Sequence, residues 1–227
     1  MNTGYYSEKD KQYFSFIRPD VISLLPANPQ QKILEVGAGG GNMLLQIKES
    51  GLAGEVMGIE LMRIPGSAQD NKMIDKFQVA DIEKDPIDAK EEYFDIIICA
   101  DVLEHLTDPW MIVDKLSRYL KPGGLFIASI PNIREWKTLF QIIFKGDFRY
   151  RKEGGILDKT HVRFFCKQNI KELFTTGSLT AEYCKPNFLL KVVRDGKKRR
   201  ILNQLTLGLF TDFLTVQYLC VARKKSG

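Results

Sequence analysis

The sequence predicts a doubly wound α/β fold, and three observations carry that prediction. Five short apolar segments, at residues 32–36, 54–60, 76–81, 94–100 and 125–130, alternate with stretches of helical periodicity. The first, in KILEVGAGGGN, runs through a glycine-rich turn straight into the helical stretch MLLQIKES. The first three carry an acid at or beside their ends (Glu35, Glu60, Asp81), where the strands of such a sheet face a ligand crevice.

The glycine turn narrows the ligand class. Gly37, Gly39, Gly40 and Gly41 lack a Cβ, so the backbone can bend sharply and approach a bound molecule, which points to a nucleotide-like ligand. The pattern G-x-G-x-x-G fails, because counting from Gly37 puts Asn42 at the third glycine; a nicotinamide dehydrogenase is therefore disfavoured. Glu35, just before the turn, would repel a pyrophosphate and attract a cation.

Ahead of the turn, residues 5–25 place Tyr13, Phe14, Ile17, Val21, Ile22, Leu24 and Leu25 at helical spacing, broken by Pro19 and ended by Pro26, so that 1–26 is expected to cap the sheet. Residues 54–60 form the second strand, and Glu60 at its tip is placed to accept both hydroxyls of a ribose. Residues 76–81 form the third, closed by Asp81. The fourth, FDIIICA, is the most apolar, as suits the centre of a parallel sheet buried on both faces. It opens into DVLEHL, whose residues, His105 among them, fall just past the carboxyl end of a central strand and face the crevice. Pro109 begins a helix that continues over 110–120, KPGG at 121–124 reads as a turn, and 125–130 is the fifth strand. Residues 135–145 have the pattern of an amphipathic helix. The run GDFRYRKEGGILDKTHVRFF at 146–165 has the composition and length of an active-site loop. A helix over 168–176 and strands over 179–184 and 214–222 complete the chain.

A length of 227 residues with 44% hydrophobic content supports one domain over 1–227. Cys99, Cys166, Cys184 and Cys220 form no C-x-x-C pair and sit mostly in or beside apolar runs, so reduced, buried thiols are expected. With no apolar signal core at the start and no apolar run near the roughly 20 residues of a membrane span, a cytoplasmic location is expected. The net charge of +5 is mild for a nucleic-acid binder. The excess lies at 191–200, where six basic residues face one acid, Asp195. That run reads as a solvated loop, with contact to a phosphate or an anionic membrane surface as the alternative. In the 186–212 insertion, Leu202, Leu205, Leu207, Leu209 and Phe210 read as core cover or a dimer contact, with an amphipathic patch that docks on a membrane or partner as the alternative, and monomer and homodimer are both open.

The glycine turn, Glu60, Asp81, DVLEHL and LKPGG with its following strand together resemble the class I S-adenosylmethionine-dependent methyltransferases. The run GDF-Y-GG-LD-TH-RFF resembles the small methyltransferases of bacterial polysaccharide and glycan biosynthesis. This resemblance implies a Rossmann-like methyltransferase fold: a mostly parallel seven-stranded sheet with an antiparallel last strand, and S-adenosylmethionine as cofactor. Around the cofactor it implies Glu35, Gly37, Ala38, Gly39, Asn42, Glu60 and Leu61, with Asp81 and Ile82 holding the adenine, Ala100, Asp101 and Val102 completing the site, and Tyr5 and Tyr6 folding over it. On the acceptor side it implies His161 and His105 as catalytic groups, Tyr150, Arg163 and Asn132 as acceptor contacts, Arg163 for an anionic group, and 133–165 as a lid. It assigns no metal ligand.

Methyl transfer is a displacement at a carbon already activated by its sulfonium, so the protein aligns the acceptor and excludes water. Only deprotonation needs a side chain, and a histidine, with an ordinary pKa near 6.5, suits it; a hydrogen bond that orients the acceptor and a structural role are the alternatives for His161 and His105. The expected function is O-methylation of a small-molecule or glycan hydroxyl in polysaccharide biosynthesis. The alternatives are methylation of a quinol precursor or natural product, and a non-catalytic cofactor-binding partner of a glycan-assembly complex. Nucleic-acid methylation is disfavoured, because ADVLEH stands where an N/D-P-P-Y/F run would be expected.

Overall fold

The computed structural model describes residues 14–152, 154–188 and 195–226. Its centre is a seven-stranded sheet in the order β3-β2-β1-β4-β5-β7-β6. The strands are β1 (Lys32–Val36), β2 (Glu55–Glu60), β3 (Lys76–Val79), β4 (Phe94–Ala100), β5 (Leu120–Pro131), β6 (Leu179–Pro186) and β7 (Gln217–Lys224). The first five pair in parallel, and β7 inserts antiparallel between β5 and β6. The mostly parallel doubly wound sheet with an antiparallel last strand is the architecture the sequence implies.

Both faces of the sheet are covered, which is why its strands are apolar at successive positions. Leu34, Met57 and Ile97 pack with Ile112, Val113 and Leu116 of α3 (Pro109–Tyr119) and with Ile170 and Leu173 of α5 (Lys167–Leu173). Ile33, Val56, Ile96 and Ile98 pack on the other face with Met43, Leu44 and Ile47 of α2 (Asn42–Glu49) and Val21 of α1 (Pro19–Ile22). The start of α3 is fixed by Pro109 in its first turn and by the Asp108 carboxylate, which accepts from the Met111 N–H at 3.0 Å.

Several expectations are corrected. Pro19 does not interrupt a helix but opens the four-residue α1; its lack of an N–H costs nothing at a first helical position. Tyr5, Tyr6 and Tyr13 lie outside the described residues. The LKPGG segment is not a turn between α3 and β5 but the irregular first part of β5, with Gly123 at φ 77°. Cys184 and Cys220, expected as separate thiols, are opposite one another in the β6–β7 register with Cα atoms 4.2 Å apart, and are joined as a disulfide; Cys99 and Cys166 are free. The expected basic loop is in part a helix, α6 (Gly196–Leu205), while residues 189–194 lie outside the described residues. Leu202, Leu205, Leu207, Leu209 and Phe210 do not cover the core: all five are exposed, on α6 or just before α7 (Thr211–Leu214). Among the described residues, no helix is long and apolar enough to cross a membrane.

The starts of α4 and α6 are tied together by a buried ion pair. Arg199 of α6 reaches Glu135, the N-cap of α4 (Trp136–Lys145), at 2.7 Å, and both side chains are buried. Arg199 also donates to the Leu214 carbonyl at 2.9 Å and holds Asp195 at 2.9 Å. Removing one partner of such a pair leaves an uncompensated buried charge, which costs about 3–5 kcal/mol. Arg199→Met should therefore lower the urea-unfolding free energy by about that much, while Arg199→Met with Glu135→Leu should recover most of the loss. Equal destabilisation in the single and double variants would show that the pair is not what anchors α6.

Candidate active site

In a doubly wound sheet the ligand crevice opens at the carboxyl ends of the strands where the strand order reverses, here between β1 and β4. A cavity of about 710 Å³ lies there. Its floor is the turn after β1. The N–H groups of Gly37 and Ala38 both donate to the Ile59 carbonyl, at 2.8 and 3.1 Å, which folds the turn onto the end of β2. Gly37 is left-handed at φ 71°, and a Cβ there would stand 2.5 Å from Val102 Cγ2. Gly39 donates its N–H to the Glu60 carboxylate at 2.8 Å, and Gly40 donates to the Phe14 carbonyl at 2.7 Å. A Cβ on Gly39 would meet that same carbonyl oxygen at 2.7 Å, so its glycine requirement comes from the chain's own backbone.

The fold brings nearly all the predicted cofactor residues together. Glu35, Gly37, Ala38, Gly39, Glu60, Leu61, Asp81, Ile82, Ala100, Asp101 and Val102 line one cavity. Asn42 does not: left-handed Gly41 starts α2 at that residue, and the Asn42 amide donates to the Ser15 carbonyl at 3.3 Å, tying down the N-terminal segment. That segment supplies Phe14, Phe16 and Arg18 to the cavity wall. Arg18 lines the cavity although it is not among the residues expected from the sequence. Its buried guanidinium pairs with Asp20 and Asp101 and donates to Ser129 Oγ at 2.8 Å, connections that span up to 111 residues and leave no local pattern. Asp101 sits at φ 59°, a backbone strain of the kind that clusters at functional sites.

Glu35 is buried within β1, and its Oε2 has no hydrogen-bond partner. Burial, reinforced by the nearby Glu60, pushes its carboxyl up to about 8. A buried carboxyl that stays neutral until such a pH is poised to ionise when a cation arrives.

In another part of the cavity wall, two stretches 56 residues apart meet. The N–H groups of Val162 and Arg163 donate to the Glu104 carbonyl at 2.9 and 3.0 Å, and the Asp158 carboxylate accepts from Thr160 N–H and Oγ at 2.9 and 2.7 Å, bending the chain so that His161 turns inward. His105 and His161 both line the cavity, with ring centroids 4.7 Å apart. His105 Nδ1 lies 3.1 Å from the Thr160 carbonyl, and His161 Nδ1 lies 2.9 Å from the Ile156 carbonyl. A carbonyl only accepts, so each neutral ring carries its proton on Nδ1 and keeps Nε2 as its basic nitrogen. Glu104 lies beside them, fully buried, with both carboxylate oxygens lacking hydrogen bonds and Oε1 3.9 Å from His161 Nε2. Burial first, and the nearby Asp101 second, raise its pKa well above the usual carboxyl range. Ligating atoms of Glu104, His105 and His161 fall within 4.8 Å of one another, a nitrogen and oxygen donor set of the kind divalent transition metals take.

The three predicted acceptor contacts are not at this cavity. The Asn132 amide is consumed by the Asp212 and Thr215 carbonyls at 2.6 and 2.8 Å, fixing the end of β5. Arg163 points outward, donating to the Thr107 carbonyl at 2.9 Å over the Trp110 ring. Tyr150 is exposed against Phe148 and Phe164. In their place Lys137, Thr138, Gln141 and Arg151 line the cavity; sequence proximity to the motifs gave no hint of which side of the loop would face inward.

Comparison with known proteins gives concordant findings. A family model described as a methyltransferase domain matches residues 10–177. A ubiquinone biosynthesis O-methyltransferase of Hydrogenovibrio crunogenus is 30% identical over 141 residues, covering 58% of this chain and 55% of that protein. One from Idiomarina loihiensis is 32% identical over 114 residues, covering 47% and 45%. The chain thus spans about half the length of the curated relatives it matches. In fold it is similar to a methyltransferase-like structure from Bacillus halodurans (TM-score 0.62, 17% identity, covering 92% of this chain and 98% of that one). It is similar too to the 1,6-didemethyltoxoflavin-N1-methyltransferase of Burkholderia thailandensis, solved with S-adenosylhomocysteine (TM-score 0.63, 16% identity, covering 99% and 85%).

The Glu35 geometry gives a pH dependence with a definite sign. An ordinary glutamate pKa of 4.5 in the unfolded chain and about 8 in the folded one mean that the folded state holds the extra proton between those values. Stability then falls as pH rises from about 4.5 to about 8 and levels off above. The melting temperature of the ligand-free protein should drop across that window relative to Glu35→Gln; parallel curves for the two proteins would place the Glu35 pKa in the ordinary range.

Proposed function

The chain belongs to the S-adenosylmethionine-dependent methyltransferase domain family, and from that premise we propose that it transfers a methyl group to the hydroxyl of a small-molecule, quinol-like acceptor. The ubiquinone O-methyltransferases among its relatives support this acceptor class, whereas the expected glycan acceptor finds no counterpart among them. The observation that carries the reading is the junction of Glu104, His105 and His161 in the wall of the same cavity that the glycine turn lines.

S-adenosylmethionine is the cofactor, and it supplies a methyl group already activated by the positive sulfonium. The cavity suits it: Glu35 Oε2 is an orphaned buried acceptor, and Gly37 keeps the crevice floor clear of a side chain. In our reading Glu35 ionises opposite the cofactor's positive charge, and Arg18 faces its carboxylate. Glu60 receives the ribose hydroxyls, and Asp81 with the Ile82 N–H receives the adenine.

The remaining work falls to the acceptor end. His161, its Nδ1 proton directed at the Ile156 carbonyl, accepts the acceptor's hydroxyl proton on Nε2 as that oxygen attacks. His105, locked by Thr160, orients the hydroxyl. Neighbouring Leu106, Leu157 and Val216 exclude water, leaving the oxygen poorly solvated and more nucleophilic. This assignment also separates an enzyme from a cofactor-binding partner without catalysis. His161→Ala should bind S-adenosylhomocysteine as tightly as the parent in calorimetry while methyl transfer to a catechol falls by about 10²- to 10⁴-fold. A large drop in melting temperature, with activity reduced only in proportion to folded protein, would instead make His161 a residue that pins the loop.

A further inference from the structure

The molecule wears an apolar surface that its own core does not explain. On α4, Trp136, Phe140, Ile143 and Phe144 recur at i, i+4, i+7 and i+8, the spacing of a buried stripe, yet all four are exposed, Ile143 by 66% and Phe144 by 72%. On α6 and the loop after it, Leu205, Leu207 and Leu209 are exposed by 76, 92 and 80%. Lone exposed apolar residues are ordinary; two amphipathic segments turned outward together mark an interaction face. They are joined at their first turns, where Lys137 meets Asp195 at 2.9 Å and Arg199 meets Glu135 at 2.7 Å.

The charge on these segments identifies the partner. Residues 135–152 and 195–210, the two helices with their N-caps, hold nine lysines and arginines against three acids, Glu135, Asp147 and Asp195, a net charge of +6. The whole chain carries +5, so everything else sums to −1. All of the protein's excess positive charge is therefore placed beside its exposed apolar side chains. A second copy docking through the same face would bring +6 against +6. Aliphatic tips such as Leu207 and Leu209 give a polyanion nothing to bind, but they suit hydrocarbon. Apolar residues on one side and Lys/Arg flanking them are what anionic lipid surfaces retain.

We propose that α4, α6 and the 206–210 loop form a docking face for an anionic phospholipid bilayer. The face adjoins the cavity, whose wall includes Lys137 and Gln141 of α4 and Arg199 of α6. A bilayer-dissolved acceptor would thus enter the site without crossing water. That consequence rests on the methyltransferase reading; the docking does not, and it is tested with no acceptor present.

The test is co-sedimentation of the full chain with vesicles of phosphatidylcholine alone and of phosphatidylcholine mixed with phosphatidylglycerol. Binding should need the anionic lipid and should be largely lost in 1 M salt, where the screening length falls to about 3 Å. Reversing Lys197, Lys198 and Arg200 to Glu should lower the partition coefficient at least about a hundredfold. Leu207→Asp with Leu209→Asp should abolish binding. Both variants alter exposed residues that do not line the cavity, so melting temperature and S-adenosylhomocysteine affinity should match the parent. Equal binding to both vesicle types, or to neither, would overturn the proposal. So would a dimer, seen by sedimentation equilibrium, that the leucine variant dissolves while vesicle binding is absent.

Discussion

The ligand end of this protein depends on the place where β1 and β4 leave the sheet side by side and nothing stands between Gly37 and Val102. A single Cβ at Gly37 would fall within 2.5 Å of the Val102 side chain, and the left-handed backbone there would be strained by any L side chain. Because that contact is closed without a side chain, the turn can fold back on Ile59 and present Gly39 to Glu60. The N-terminal segment then lies across it, donor to acceptor, through Gly40 and Phe14. Arg18 reaches Asp101 only because that segment is held there.

Buried polar groups are treated in two ways here, and the difference marks where chemistry is expected. Arg199 and Glu135 are buried but answered by one another and by neighbouring groups, as a structural ion pair must be. Glu35 and Glu104 are buried with orphaned oxygens, and both line the same cavity. An unpartnered buried carboxyl costs stability unless it stays protonated, which is the direction in which burial drives both. A fold tolerates such groups where a ligand will answer them.

The segments after β5 show a second departure from a pure folding solution. Helix α4 has the apolar periodicity of a core helix, yet of its ten residues only Thr138 is buried. The same side-chain types that close the sheet on α3 and α5 are left outward on α4 and α6, beside the basic residues and next to the cavity. Stability alone would have turned those stripes inward.

Much of the site was legible in the sequence because its parts are local. A strand that ends in an acid, a glycine turn that opens a helix, and DVLEHL after the most apolar strand each announce position along the sheet edge, and parallel pairing then sets Glu35 beside Gly58 and Ile98, two residues short of Glu60 and Ala100 on the neighbouring strands. What the sequence by itself determined was the order of strands and helices, the crevice and the cofactor it suits, since these follow from periodicity and turn chemistry within about ten residues. Only the tertiary structure decided that Arg18 joins the wall, that Asn132 and Arg163 are spent on backbone carbonyls, that Cys184 meets Cys220, and that the leucines after Arg200 face outward. Those outcomes depend on contacts between residues tens to more than a hundred positions apart, where side-chain direction is set by what packs against the chain rather than by any pattern within it.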